Sequence, residues 1–557
     1  MKKFLALCLA AALLVPGCVK VDNSLGEGLV DKSLLLNTYT VEFPLTNISM
    51  KASSALSAYS DSKLTIGAIR DDTFGLTTRE AAFALIPVLD EMDLGENPVA
   101  KSFDLYFASD TTSVPDASQE RILQNIYVYE LLERLPETAR PSNTEIPHSL
   151  TRISAGTPVY NGTGGLDIAF TKEFAQRYVD VIKELGPVLI ERSTDANKAD
   201  PIDKYDDFVE KLPGIYIATD NPTGNGGRIN LFEFPCLSVV NSYYQRNSNV
   251  GLLTVTSTWD GERKDSTFMF VPGETEFVDE AAYVEKNTKF VQYCFNTCSH
   301  ESKEQKAGNQ LLVEGGGGLK PVISALELQQ KTREAIQAKG GDPDKASIIS
   351  ASIILPYDMP EKYWEMDRFP SMLSPTVRTT VTREDGEEYP TFAGLTDASV
   401  SEEDQGNIDR SNLMYSPDIT YHMQEVLHPG KGDSSLSQTA IETGAADIWL
   451  LTLHTEQVAT ASGQTAEESA YYRNLMYASY YNSLYGGSYG GSYGNSYSNY
   501  YSYMMLAQMM AAQNQTTYST TTELDKDRYY KAVLNGPLSQ SKNGVPHFLV
   551  TFAIPKQ

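Results

Sequence analysis

Cysteine, histidine and paired carboxylates are the side chains of this chain with the reach for chemistry, and their spacing decides which chemistry. The densest group is Cys294-Phe295-Asn296-Thr297-Cys298-Ser299-His300. Two cysteines and a histidine so close together make half of a tetrahedral zinc site, but no second Cys/His cluster follows to complete it. The expectation for this segment is a structural disulfide or inert buried thiols, not a metal. Cys236 joins Cys294 and Cys298 as the thiols left for an oxidising compartment once Cys8 and Cys18 are set aside. An odd number cannot all pair.

The six histidines, at 148, 300, 422, 428, 454 and 547, stand in no metal-ligand spacing such as H-E-x-x-H. His422 and His428 flank a short apolar segment and read as surface or capping residues. There is no G-x-S-x-G elbow and no phosphate loop. Gly315-Gly316-Gly317-Gly318 lacks the following Lys-Ser/Thr that would hold phosphate, so it reads as a flexible connection between strands. Asp71/Asp72 or Glu402/Glu403/Asp404 would serve a glycosidase only with one raised pKa and a defined separation across a cleft. With 72 acidic residues, adjacent pairs arise by chance. Glu403-Asp404-Gln405-Gly406-Asn407-Ile408-Asp409 sets oxygens around a glycine but lacks the closing bidentate Glu of a calcium loop, and reads as a solvated acidic loop. Asp110-Thr111-Thr112 and Asp265-Ser266-Thr267 fit a short bacterial O-glycosylation pattern. The sequence thus assigns no catalytic, cofactor-binding or metal-binding residue.

The firmest chemistry is at Cys18. Met1-Lys2-Lys3 precedes an apolar run from Phe4 to Val15 and then Pro16-Gly17-Cys18, the order of an export signal ending in a lipobox. This predicts cleavage before Cys18, a diacylglycerol on its sulfur and an acyl chain such as palmitate on the new amine. One chain anchors only marginally, whereas several hold stably. No later segment is long and apolar enough to be a membrane helix. The formal charge of −27 becomes −29 when Lys2 and Lys3 leave with residues 1–17. Such a balance repels nucleic acid and anionic head groups, and suits a surface in water.

The elements around these residues read as mainly β. The chain is too long for one core, because single cores stop growing at about 250 to 300 residues. The pattern predicts two β-sandwich, jelly-roll-like domains with few helices. The expected divisions are a signal peptide at 1–17, a linker at 18–35, a first β-rich domain with an amphipathic helix at 36–240 and a second β-rich domain at 241–470. An insert at 471–515 and C-terminal strands at 516–557 that complete the second domain follow. Leu253, Val255, Ser257 and Trp259 share one face, and Asp260-Gly261 turns the chain toward Phe268 and Phe270 on a returning strand. Further strands are expected at Gln124 to Leu131, Ile215 to Thr219, Ser347 to Leu355, Ile448 to Leu453 and His547 to Ile554. Phe174, Tyr178, Val181, Ile182 and Leu185 fall at helical spacing before Gly186-Pro187. Val322 to Gln337 and Tyr421 to Leu427 are weaker helical patterns. From Tyr471 to Tyr503, Tyr, Gly, Ser and Asn alternate with too few aliphatics to build a core, the composition of a disordered low-complexity insert. A faint internal echo relates Arg70 to Gly75, Ala81 to Val88 and Ser102 to Phe107 with Gly315 to Gly318, Pro321 to Leu328 and Ala346 to Leu355.

Four segments stand out in order: Ile66-Gly67-Ala68-Ile69-Arg70-Asp71-Asp72-Thr73-Phe74-Gly75, Ile126-Tyr127-Val128-Tyr129-Glu130-Leu131, Phe208-Val209-Glu210-Lys211-Leu212-Pro213-Gly214-Ile215-Tyr216-Ile217 and Lys345-Ala346-Ser347-Ile348-Ile349. On these segments the chain resembles a Bacteroidetes outer-membrane lipoprotein family known as domain of unknown function 4270. The resemblance covers most of the chain after Cys18, and the Tyr/Gly-rich insert departs from it. It implies a lipid-anchored outer-membrane protein of β-sandwich domains, and it brings no catalytic residues. The resulting expectation is a non-catalytic binding or scaffold component of an envelope complex, on the periplasmic or extracellular face. The alternatives are a surface carbohydrate-binding lipoprotein of a glycan-uptake system and a carboxylate-dependent hydrolase. Facing acids in a deep cleft would favour the hydrolase, an aromatic strip the glycan and an apolar patch a protein partner.

Overall fold

The computed structural model describes residues 36–556, apart from 55–58, 61–62, 88–91, 136–139, 188–203, 234–249, 273–274, 279–288, 293, 383–387, 396, 398–405, 432–435, 461–516 and 525–528. Cys18, Cys236, Glu402 to Gln405 and the Tyr471 to Tyr503 insert therefore lie outside the described residues. The rest is mainly β, with several antiparallel sheets and few helices, a sandwich-type arrangement.

Alternation builds the sheets. In the strand Val250–Trp259, Leu253, Val255 and Ser257 are buried, and the chain reverses at Asp260 and Gly261, both at positive φ, to return as Glu262–Pro272. Two left-handed residues in a two-residue loop match the twist of the paired strands. Gln124–Leu131 and Ile215–Thr219 have the expected limits and pair with each other. Ser347–Pro356 and His547–Pro555 each run one residue further than expected, and Ile448–Thr460 runs seven further.

The helix Lys172–Leu185 follows its pattern: the Thr171 hydroxyl accepts from the Phe174 amide, and Gly186 at φ 87° ends it. The second long helix, Ala325–Ala338, starts three residues later than expected. Val322 and Ile323 belong instead to the buried strand Leu319–Ile323, and Ser324 caps the helix through the Glu327 amide. This also breaks the internal echo, because Pro321 to Leu328 passes from strand to helix while the strands Gly75–Phe83 and Leu85–Pro87 take up most of Ala81 to Val88. Thr420–Leu427 is helical, as are the unexpected short segments Tyr205–Lys211 and Gln438–Thr443.

Two hydrophobic clusters dominate. In the first, Leu64, Ile66 and Ile126 from one sheet face Phe103, Leu253 and Phe270 from another, with Phe174 and Tyr178 of the Lys172–Leu185 helix laid against them. In the second, Ile353, Phe548 and Val550 face Ile323, Leu373 and Ile448, and the helices Ala325–Ala338 and Thr420–Leu427 contribute Leu328 and Met423. The clusters do not follow the expected division at 240. Val250–Trp259, Glu262–Pro272 and Cys294–His300 join sheets of the first. Leu36–Pro44 and Ile48–Ala52 join sheets of the second, the former matched residue for residue against His547–Pro555. Strand pairing therefore sends the chain from the second cluster into the first and back again.

Phe103 anchors the first cluster, with ring centroids 4.9 Å from Phe170, 4.9 Å from Tyr178 and 5.3 Å from Phe270. Phe103→Ala should lower unfolding free energy by about 3–5 kcal/mol, the range for aromatic truncation in a packed core. Urea unfolding followed by far-ultraviolet circular dichroism measures it.

Candidate functional site

The least expected feature of the structure is a set of charges with almost no water around it, where the two clusters meet. Cys294–His300 pairs with Gly75–Phe83 so that Cys298 lies opposite Arg79 and His300 opposite Thr77. Gln310–Glu314 pairs with Lys531–Asn535 so that Glu314 lies opposite Lys531. These two ladders deliver Arg79, Cys298, His300, Glu314 and Lys531 to one place, and Lys320 enters from Leu319–Ile323.

The contacts run as a chain. Cys298 Sγ is 2.9 Å from His300 Nε2, and His300 Nδ1 is 3.1 Å from Glu314 Oε1. Glu314 Oε1 also accepts from Lys531 Nζ, and Oε2 accepts from the Ser302 hydroxyl and, at 3.0 Å, from the Leu319 amide. Lys531 Nζ donates to Thr77 Oγ1 at 2.8 Å and sits 4.6 Å from the Phe74 ring centre. Lys320 Nζ donates to the carbonyls of Glu314, Gly316 and Gly318.

Burial and charge compete at each group. Burial pushes the Cys298 thiol up, but Arg79, His300 and Lys531 together outweigh it and hold the thiol below its ordinary value. Burial pushes His300 down, yet Cys298 and Glu314 raise it on balance. Both directions favour a thiolate beside an imidazolium. Burial also opposes the Glu314 carboxylate, which Lys531 and His300 nevertheless hold well below the usual carboxylate range. Burial lowers Lys320 to about 7 against the pull of Glu314 and Cys298.

Cys298 is a free buried cysteine, in line with the expectation of buried thiols, and it is in contact with an imidazole. Cys294 and Cys298 occupy one extended strand, where four residues span about 13 Å, too far for a disulfide between them. Gly315 to Gly318 does connect two strands, Gln310–Glu314 and Leu319–Ile323, but as a buried turn: a Cβ would come within 2.5 Å of the Arg79 guanidinium at Gly316, 2.2 Å of Ser142 Oγ at Gly317 and 2.8 Å of the His300 ring at Gly318. Bare backbone is what lets the charges approach.

Beside this cluster opens a cleft of about 950 Å³. Arg70, Asp71, Asp116, Lys362, Glu365 and Arg368 are among the residues that line it. Asp71 Oδ1 accepts from the amides of Thr73 and Phe74 and so shapes the hairpin turn, which accounts for the acidic pair Asp71/Asp72. Lys362 reaches Asp116 at 3.5 Å, and Arg70 forks onto Glu301 at 2.8 and 3.0 Å. Lys531 lines the cleft while holding Glu314, so it links the open site to the buried one.

The other sequence candidates lie elsewhere. Asp409 caps a turn through the amides of Ser411 and Asn412, and no group of three or more His, Cys, Asp or Glu among the described residues could hold a metal ion. Of the two O-glycosylation matches, Asp110 to Thr112 is in the strand Ser109–Ser113, and Asp265 is bound by Lys101 and Thr256. His148 stacks on Tyr216, His547 lies on a terminal strand, and the His454 side chain lies outside the described residues. His428 does end the helix Thr420–Leu427, its ring bonded to the Ala346 carbonyl. His422 is corrected: it is buried, Nε2 has no partner, and burial lowers it to about 4.

Glu314→Gln and Lys531→Met should each remove about 3–5 kcal/mol, because each strands a buried charge, while the double variant should lose clearly less than their sum in urea unfolding. His422 adds an acid dependence. Its folded pKa lies below the unfolded value of about 6.5, so the unfolded chain binds the extra proton as pH falls and stability is lost between about pH 6.5 and 4. His422→Leu should flatten that loss relative to the parent, measured as the difference in urea midpoint between pH 7 and pH 5.

No family model, curated protein or solved structure matches the chain.

Proposed function

We propose that this chain is a lipid-anchored outer-membrane protein, tethered through Cys18, that works without catalysis by holding a polar segment of a partner protein in the charged cleft. The leader and lipobox support the anchor, and the segments that resemble an outer-membrane lipoprotein family support the setting. The observation that carries the binding role is the cleft itself, which presents both signs of charge, in part as solvent-exposed ion pairs. An extended segment brings backbone donors and acceptors as well as charges, and such a surface can match all of them.

The cleft suits the alternatives less well. Its aromatic rings, Phe74 and Phe369, are 4% and 8% exposed, leaving little face on which a sugar could stack. A glycosidase needs one carboxyl held up as an acid, and Asp116 is not that group: hydrogen bonds from the Ser118 amide and hydroxyl, with the help of Lys362, lower it.

Affinity purification of the full chain from its native envelope in mild detergent tests the reading. A stoichiometric protein partner should co-elute with the parent and be lost with Lys362→Glu, a solvent-exposed change at the cleft. A partner-free parent that binds glycans would contradict it. Cys18→Ala should move the protein to the soluble fraction, and retention on membranes without detergent would refute the anchor.

A further inference from the structure

Nothing in the cleft reading requires a thiol, yet the molecule keeps one in a setting that activates it. Cys298 is 2% exposed, and its sulfur lies 2.9 Å from the imidazole of His300, whose other nitrogen is held by Glu314. Nucleophile, base and orienting carboxylate in hydrogen-bonded sequence are the arrangement that activates a sulfur. A second feature is independent of this chain of contacts. The Cys298 amide donates to the Ser142 carbonyl at 2.7 Å, and the Ser142 hydroxyl, buried over Gly317, has no partner of its own. It is a buried, unspent donor on the residue that the Cys298 backbone binds.

We propose that Cys298 is an oxidation site for hydrogen peroxide, converted to a sulfenic acid with His300 as the proton donor. Size selects the reagent: with Cys298 2% exposed and the adjoining imidazole 9%, burial excludes a peptide or an acyl substrate and leaves only a molecule little larger than water. The thiolate sulfur attacks one peroxide oxygen, a sulfur–oxygen bond forms and the oxygen–oxygen bond breaks. Sulfur loses two electrons to the peroxide, and the departing hydroxide takes the imidazolium proton and leaves as water. The products are Cys298 sulfenic acid and neutral His300. One event consumes one thiolate, so this is a modification and not a turnover.

The reaction alters the charges where the clusters meet. Thiolate and imidazolium disappear together, which leaves Glu314 as the anion nearest to Lys531 and Lys320. The modified protein therefore has a different charge arrangement directly beneath the cleft, through Lys531.

The test compares Cys298 in the folded full-length chain with the same residue in the chain unfolded by urea. Both are exposed to hydrogen peroxide with a dione trap for sulfenic acid, and site-resolved mass spectrometry follows the adduct. At pH 6 the folded form should react at least about ten-fold faster, because an ordinary thiol is almost wholly protonated there, and the advantage should shrink toward pH 9. His300→Gln should reduce the advantage several-fold while leaving the unfolded rate unchanged, with Arg79 and Lys531 still in place. If folded Cys298 reacts no faster than unfolded Cys298 at pH 6, the proposal is overturned, and this comparison stands whether or not the His300 variant folds.

Discussion

Glu314 carries a charge with no part of its side chain in water, and the surrounding structure is organised to make that tolerable. Removing a carboxylate from water costs several kcal/mol, which only good geometry and full hydrogen bonding offset. Here Lys531 and His300 supply charge, and Ser302 and the Leu319 amide supply donors. The partners come from different strands, so each must be in register for the carboxylate to be satisfied. A slip of one residue in either ladder would turn the charged side chains to the opposite face. The charges therefore specify how the two hydrophobic clusters meet, a task that apolar packing, being non-directional, performs poorly.

The route of the chain reinforces this junction. Leu36–Pro44 begins in a sheet of the second cluster, the chain then builds the first, and His547–Pro555 closes beside its starting strand. Phe74, at the tip of a hairpin whose strands belong to the first cluster, packs into the second. Lys531 lies over that ring and also lines the cleft, so one side chain connects the packing, the ion cluster and the open site. A cleft framed by both clusters takes its shape from their relative placement, which the buried charges help to set.

Much of the fold was legible in the sequence. Alternation marked Gln124–Leu131 and the Val250–Trp259 hairpin because side-chain period and turn chemistry are local. Thr171 and Gly186 marked the ends of their helix for the same reason. The mixed membership of the clusters was not legible, since pairing Leu36–Pro44 with His547–Pro555 depends on residues some five hundred positions apart. The ion cluster left a signal that could have been found. Glu314 ends the apolar run Leu311-Leu312-Val313, and Lys320 interrupts Leu319 and Val322-Ile323, with four glycines between the two charges. Charges placed inside apolar strands on either side of bare backbone point to a compact buried pair of this kind. Arg79, His300 and Lys531 gave no such cue, because their meeting is set by register across two ladders. His422 likewise sits in a short segment whose pattern fits either face.

Ionisation of the buried cluster, with the proton on His300 and the charge on the sulfur of Cys298, underlies both the junction of the hydrophobic clusters and the reactivity proposed for the thiol. Nuclear magnetic resonance of histidine labelled with nitrogen-15, titrated across neutral pH, reads that proton directly. A His300 ring that remains doubly protonated above the pH at which an ordinary imidazole gives up its proton is the predicted result. A His300 ring already neutral at pH 6 would show that the imidazole does not hold the proton, and would contradict a thiolate–imidazolium pair.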